Sequence, residues 1–264
     1  MSAIHLGAWD LVAASLLILL DAALSLVLRL NVHRQILVAA VRMVVQLLVV
    51  GLVLRYVFAT ASVGATLAVI LFMVGAATRE VATRPKQRLA RRMNYHISAA
   101  VVACSGFATV LLALATAVRP SPWYEPRYAI PLMGIVLGSV LNAASLALDG
   151  ILDGVVRERG RIEARLALGT PFRDAIAPLV KSATRRGMIP VANQMSAAGI
   201  ITLPGIMTGQ LLAGMDPVDA VKYQILLMFL LAGASGLASV GAALLAVRAL
   251  SDERQRLRVD RMRN

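Results

Sequence analysis

Few side chains in this sequence could do chemistry, and most of those few stand inside apolar runs. Asp21, Arg42 and Gln46 interrupt long stretches of Leu, Val, Ile and Ala. Ionisable and amide groups are costly in hydrocarbon, so such positions mark either a functional path or a polar clasp between helices. Arg42 and Gln46 are four residues apart and share one helical face. Asp21 and Arg42 sit at matching depths on either side of a short connection, roughly 10 and 9 Å from it at 1.5 Å per residue. A structural ion pair between them is therefore expected. Asn142 and Asn193-Gln194 also break apolar runs, and hydrogen bonding between helices is the plainer account of them. Met133, Met188, Met195, Met207 and Met215 offer thioethers, which suit copper(I) better than iron. Methionine is equally a routine filler of apolar cores. Leu203-Pro204-Gly205, with Gly209 and Gly214, must interrupt a helix. Freed carbonyls there either line an enclosed or wet path or belong to a tight turn.

A second group lies in a basic loop, about 149–187. It is Glu163-Ala164-Arg165-Leu166-Ala167-Leu168-Gly169, followed by Thr170-Pro171-Phe172-Arg173-Asp174-Ala175. Thr170 is a good N-cap and Pro171 suits a first helical position. Gly169 permits a backbone angle that other residues resist. Pro178 is expected to end this short helix. Phe172 would then be an exposed aromatic among arginines, fit either to anchor a partner or to lie on lipid.

The elements that position these residues follow from hydropathy. Hydrophobic residues make up 59% of the 264, with a mean hydropathy of +0.75. That leaves too little polar surface for a soluble domain of this length, so an all-α polytopic membrane protein is expected. Seven spans fit, near 8–28, 36–58, 62–78, 97–118, 127–148, 186–203 and 221–245, in a single transmembrane domain over 1–264. The segments 29–35, 79–96, 149–187 and 248–264 hold 22 of the 27 Lys and Arg. The positive-inside rule puts them in the cytoplasm, the N-terminus outside and the C-terminus inside. The same distribution argues against nucleic acid as the reason for the +13 charge. The outer loop 119–127 carries three prolines with Trp123 and Tyr124, suited to the headgroup zone. The tail, about 248–264, reads as a basic helix on anionic lipid or as a disordered segment. Cys104 stands alone, and His5, His33 and His96 are far apart, so neither a disulfide nor a thiolate metal cage is expected. The first run lacks a basic flank, and no cleavable leader is expected.

Four stretches carry a resemblance. They are Arg42-x3-Gln46; Pro131-Leu132-Met133-Gly134-x3-Gly138-x3-Asn142; Glu163 to Gly169; and Ile189-Pro190 through Leu203-Pro204-Gly205-Ile206-Met207-Thr208-Gly209-Gln210 to Tyr223-Gln224. Together they resemble the FetB-type iron-export permeases of ATP-binding-cassette (ABC) transporters. The chain departs at Ser139, where Asn is expected, and at Ile206, where a second Met is common. The resemblance implies an ATPase-coupling site at Glu163, Ala164, Gly169, Thr170, Pro171, Phe172 and Arg173. Arg42, Gln46, Asn142, Asn193, Met195, Pro204, Met207 and Gln210 are the candidates for a translocation path. Plant members are linked to aluminium tolerance, which leaves the substrate open.

No Gly-x4-Gly-Lys-Ser/Thr loop occurs, so ATP and Mg are expected on a separate ATPase subunit and no cofactor on this chain. The expected protein is a homodimeric inner-membrane permease, not itself an enzyme, that exports a metal ion or a metal-linked solute. An ATP-independent channel or secondary carrier is the alternative, but it has no need of a capped coupling helix. A lipid-binding scaffold is a third reading, disfavoured by the interrupted sixth span. Asp149-Gly150 and Asp153-Gly154 resemble pieces of an intramembrane aspartyl protease motif, yet they lie four apart at the end of one span.

Overall fold

The computed structural model describes residues 7–90 and 92–263, so His5 lies outside the described residues. Most of the described residues are helical. It packs as two compact units, residues 1–62 with 212–214, and residues 63–211 with 215–264.

The first unit is a helical hairpin of α1 (Ala8–Val27) and α2 (His33–Thr60). The connection turns through left-handed backbone at Arg29 and Asn31. Ser25 steadies it: its carbonyl accepts from the Leu30 N–H at 2.9 Å, and its Oγ from the Val32 N–H at 3.1 Å. Along α2 only Val57 is buried among the described residues. A helix apolar on every side is stable only where lipid or another apolar surface surrounds it.

The second unit is built around α5 (Pro126–Arg157). It packs against α3 (Val63–Thr83), α4 (Met93–Ala113), α7 (Phe172–Ala197) and α9 (Pro217–Ala249). Short helices α6 (Arg159–Ala167) and α8 (Gly205–Leu212) precede and follow α7. Val136, Val140, Ala144, Ala147, Leu148 and Ile151 make the fully buried stripe of α5. Small residues set how close the helices come. A Cβ placed on Gly187 of α7 would lie 2.6 Å from the Ala143 carbonyl oxygen of α5 and would collide with Ser239 Oγ of α9. One on Gly150 would meet Ala183 Cβ at 3.1 Å, and one on Gly154 would collide with Leu179. Residue numbers rise along α5 from 143 to 154 as their partners fall from 187 to 179, so α7 runs antiparallel to α5.

Among the described residues, six helices are long and apolar enough to cross a membrane: α1, α2, α3, α4 with its wide last turn to Val118, α5 and α9. The expected sixth span, 186–203, is not among them. It is the second half of α7, which also contains the expected coupling helix, so one continuous helix replaces two. Pro178 and Pro190 both sit inside it. A proline removes one backbone bond, and packing on α5 and α9 outweighs that loss. Arg173 and Lys181 in the first half of α7, and Arg185 and Arg186 near its middle, dilute its hydropathy. The expected interruption is real: α7 stops at Ala197, Gly199 takes φ +85, and α8 begins at Gly205.

The expected tail helix does not form. Residues 251–263 fold back instead, with a bridge between Ser251 and Leu257. Strand β2 (Met262–Arg263) pairs antiparallel with β1 (Arg88–Leu89), in register Arg88 with Arg263 and Leu89 with Met262. Arg261 Nη1 donates to the Ala249 and Ser251 carbonyls at 2.7 and 3.0 Å, satisfying acceptors at the end of α9.

Candidate coupling face and half-open pocket

Three of the basic segments meet at one end of the second unit. The Lys86 N–H donates to Asp149 Oδ1 at 3.0 Å, and Arg84 Nη1 to Asn142 Oδ1 at 3.2 Å, which fastens the α3–α4 loop to α5. In the first turn of α4, Asn94 is 4% exposed and its Oδ1 accepts from the Leu89 N–H of that loop at 3.1 Å. The tail reaches the start of α7, where the Phe172 N–H donates to Gln255 Oε1 at 3.1 Å. Asp153 pairs with Arg157 at 3.1 Å. Asp149 and Asp153 thus have structural work at a surface end of α5, and the protease reading loses its motive.

The corner between α6 and α7 is closed by backbone bonds. The Gly169 N–H donates to the Leu166 carbonyl and the Thr170 N–H to the Arg165 carbonyl, both at 3.0 Å. That pair of bonds, with Gly169 at φ +84, is the Schellman helix ending. The space at Gly169 is open, so it is the backbone angle that calls for glycine. Glu163 pairs with Arg159 at 2.8 Å, and Arg161 with Glu158 at 3.0 Å, both along α6. The helix starts one residue later than expected: Pro171 is the cap residue and Phe172 the first in the helix, with no side-chain cap from Thr170.

Phe172 is not the exposed aromatic that the sequence suggests. It is 6% exposed, buried beside Ala175 and Ile176 in the first turns of α7. The corner shows solvent a different apolar group, Leu168, which is 86% exposed. Ala164, Gly169 and Arg173 are exposed with it. Between this corner and tail residues Glu253 to Leu257 runs a groove of about 730 Å³, floored by Leu166, Thr170 and Pro171. Charge pairs stiffen the tail wall. Asp252 Oδ1 accepts from the Arg256 and Arg254 N–H groups at 2.9 and 3.1 Å, and Arg256 pairs with its other oxygen. The Arg256 N–H leads in holding the Asp252 carboxyl below its ordinary range. The paired Arg258 guanidinium holds Asp260 down at about 2.

The translocation candidates divide. Arg42 and Gln46 lie on α2, in the first unit. Asp21 lies on α1, the other arm of that hairpin. Asn142 is held by Arg84 at the basic end, and Asn193 is exposed near the end of α7. Met195, Pro204 and Met207 come together, lining a hollow of about 490 Å³ where α7, α8 and α9 meet. Gln210 on α8 has its Oε1 buried and without a hydrogen-bond partner among the described residues. Gln224 and Met228 of α9 line the same hollow and were not singled out as site residues from the sequence. The signal was available for Gln224, which stands in the Tyr223-Gln224 end of the longest matching stretch. Among the described residues no group of three His, Cys, Asp or Glu could hold a metal ion.

Fold and surface together define an all-helical, multi-pass membrane protein with a structured basic end. The chain belongs to the family described as "Uncharacterised protein family (UPF0014)", which it matches over residues 8–251. It is 35% identical to "UPF0014 membrane protein slr1647" of Synechocystis over 87% of this chain and 88% of that one. It is 29% identical to "Probable iron export permease protein FetB" of Escherichia coli over 89% and 88%. It is 33% identical to "UPF0014 membrane protein STAR2" of rice over 87% and 78%. No solved structure matches it.

Proposed function

We propose that this chain is the permease subunit of an ABC transporter that exports a metal ion or a metal-linked small solute. A separate ATPase docks on the α6–α7 corner and carries ATP and Mg; this chain performs no hydrolysis. Two copies of the permease form the path, in the inner membrane, with the basic end in the cytoplasm.

One observation carries the reading. The corner bearing Leu168 and Gly169 is continuous with α7, and α7 ends at the hollow lined by Met195. A helix of 26 residues is about 39 Å long, enough to link a docking face to the membrane interior as one rigid lever. Resemblance to a probable iron export permease supports metal as the cargo.

The test is co-expression with a candidate ATPase, followed by co-purification and hydrolysis assays across a metal panel. The expected results are a complex that depends on the corner, and hydrolysis stimulated by the exported metal. Full-rate metal efflux from vesicles that contain this chain and no ATPase would favour a channel or carrier and overturn the proposal.

A further inference from the structure

We propose that the hollow between α7, α8 and α9 binds a soft monovalent cation of the copper(I) or silver(I) type, through the thioethers of Met195, Met207 and Met228. This names the substrate class of the proposed permease, although binding itself needs no ATPase.

The first argument is what lines the hollow. Met195 comes from the last turn of α7, Met207 from the first turn of α8 and Met228 from α9, and no charged residue stands with them. Hard ions such as iron(III) or aluminium seek carboxylate and other anionic oxygens, whereas thioethers are soft donors that select copper(I). A neutral wall also suits a single positive charge better than two or three, because the cost of burying an ion rises steeply with its charge.

The second argument is an unmet acceptor. Gln224 lines the hollow, is 7% exposed, and its Oε1 is buried with no hydrogen-bond partner among the described residues. Buried acceptors in folded proteins are nearly always satisfied. A cation in the hollow would satisfy this one.

The third argument separates ligand from filler. Met133 is 1% exposed and packs close to Gly106 in the core, which is how a filling methionine behaves. Met195, Met207 and Met228 instead line a half-open hollow of about 490 Å³, with Met228 buried and Met195 38% exposed. That space exceeds a bare ion, but each methionine has three rotatable bonds and can swing its sulfur inward.

The experiment uses full-length protein in lipid nanodiscs, carrying Cys104→Ala so that no thiol competes. Silver(I), a redox-inert probe, is titrated and bound metal is measured by mass spectrometry after dialysis. Wild-type methionines should retain silver(I) stoichiometrically, against an excess of iron(II) or aluminium. Combined Met195→Leu, Met207→Leu and Met228→Leu should weaken retention about tenfold or more, while Met133→Leu leaves it unchanged. Unchanged retention in the triple variant, or none in the parent, overturns the proposal. Should the triple variant lose its helical circular dichroism, X-ray absorption of the parent decides: sulfur neighbours around silver support the site, and oxygen or nitrogen neighbours alone overturn it. Silver bound here but never exported would leave the site standing and count against the transport reading. Metal exported by a variant lacking this binding would do the reverse.

Discussion

Leu168 and Phe172 are four residues apart and play opposite parts. Leu168 is 86% exposed, so its removal leaves the fold intact. Leu168→Ala is expected to weaken ATPase docking by about 1 to 2 kcal/mol with no change in thermal unfolding. Phe172→Ala empties a buried site and should cost about 3 kcal/mol of stability, seen as a lower unfolding temperature. The two variants measured side by side, by ATPase pull-down and by thermal scan, separate contact from support. Equal docking by the Leu168 variant and the parent would remove the corner's assigned contact. Sequence located this corner through Gly169 and its neighbours, and the φ of +84 bears that out. It did not show which apolar side chain faces outward. The backbone N–H at the Phe172 end of α7 is met by Gln255, 83 residues away, which no local pattern reports. In the first unit, the depth argument for Asp21 and Arg42 stands on a hairpin that does form. The expected result of Asp21→Asn and Arg42→Gln is that each alone lowers folded yield more than the two together. Either charge left facing lipid costs about 2.5 to 3.5 kcal/mol. Additive losses would show that the two do not interact.

Helix crossings are set by small residues, and Gly187 is the tightest of them. Its α-carbon face is closed by the Ala143 carbonyl on one side and Ser239 on the other. Gly187→Ala should therefore push α7 off α5 and α9 at a cost of about 2 kcal/mol or more. Gly138→Ala is the matched control, since a Cβ there meets nothing within 4 Å. It should stay within about 0.5 kcal/mol of the parent. Thermal unfolding in detergent measures both, and equal losses would mean that the crossing is looser than drawn. At this scale the sequence was readable wherever hydropathy was strong. Spans 36–58, 97–118, 127–148 and 221–245 fall within helices, and 8–28 and 62–78 overrun α1 and α3 by one residue each. It misled wherever tertiary packing overruled a local rule. Pro178 reads as a stop, yet α7 continues because Leu179, Ala183 and Gly187 beyond it are buried. The tail reads as a helix or as disorder, yet it finds a strand partner in Arg88 and Leu89, far back in the chain.

The whole molecule turns the charge count into a geometric statement. Segments 79–96, 149–187 and 248–264 are distant in sequence, yet they gather at one end of the second unit through Lys86 with Asp149, Phe172 with Gln255, and β1 with β2. At the other end, Trp123 and Tyr124 stack edge to face with ring centres 5.8 Å apart, just before α5 begins at Pro126. Asp149 lies 23 residues along α5 from Pro126, which is roughly 35 Å at 1.5 Å per residue. The hydrocarbon core of a bilayer is about 30 Å thick. Loop 84–92 and loop 119–125 are therefore separated by a full membrane and should face different compartments. By the positive-inside rule, the excess of arginine on the first predicts that it is the cytoplasmic one. Arg88→Cys, exposed on its short strand, should react with an impermeant maleimide only when the cytoplasmic face is open. Trp123→Cys, at a position 61% exposed, should react in intact cells from outside. Both belong in a Cys104→Ala background, because that cysteine is itself exposed. Reaction of both from outside would mean that α5 does not cross the bilayer, and the bundle around it would need another orientation. Reaction with sides exchanged would keep the crossing but turn the basic end away from any cytoplasmic ATPase, which the proposed coupling could not survive.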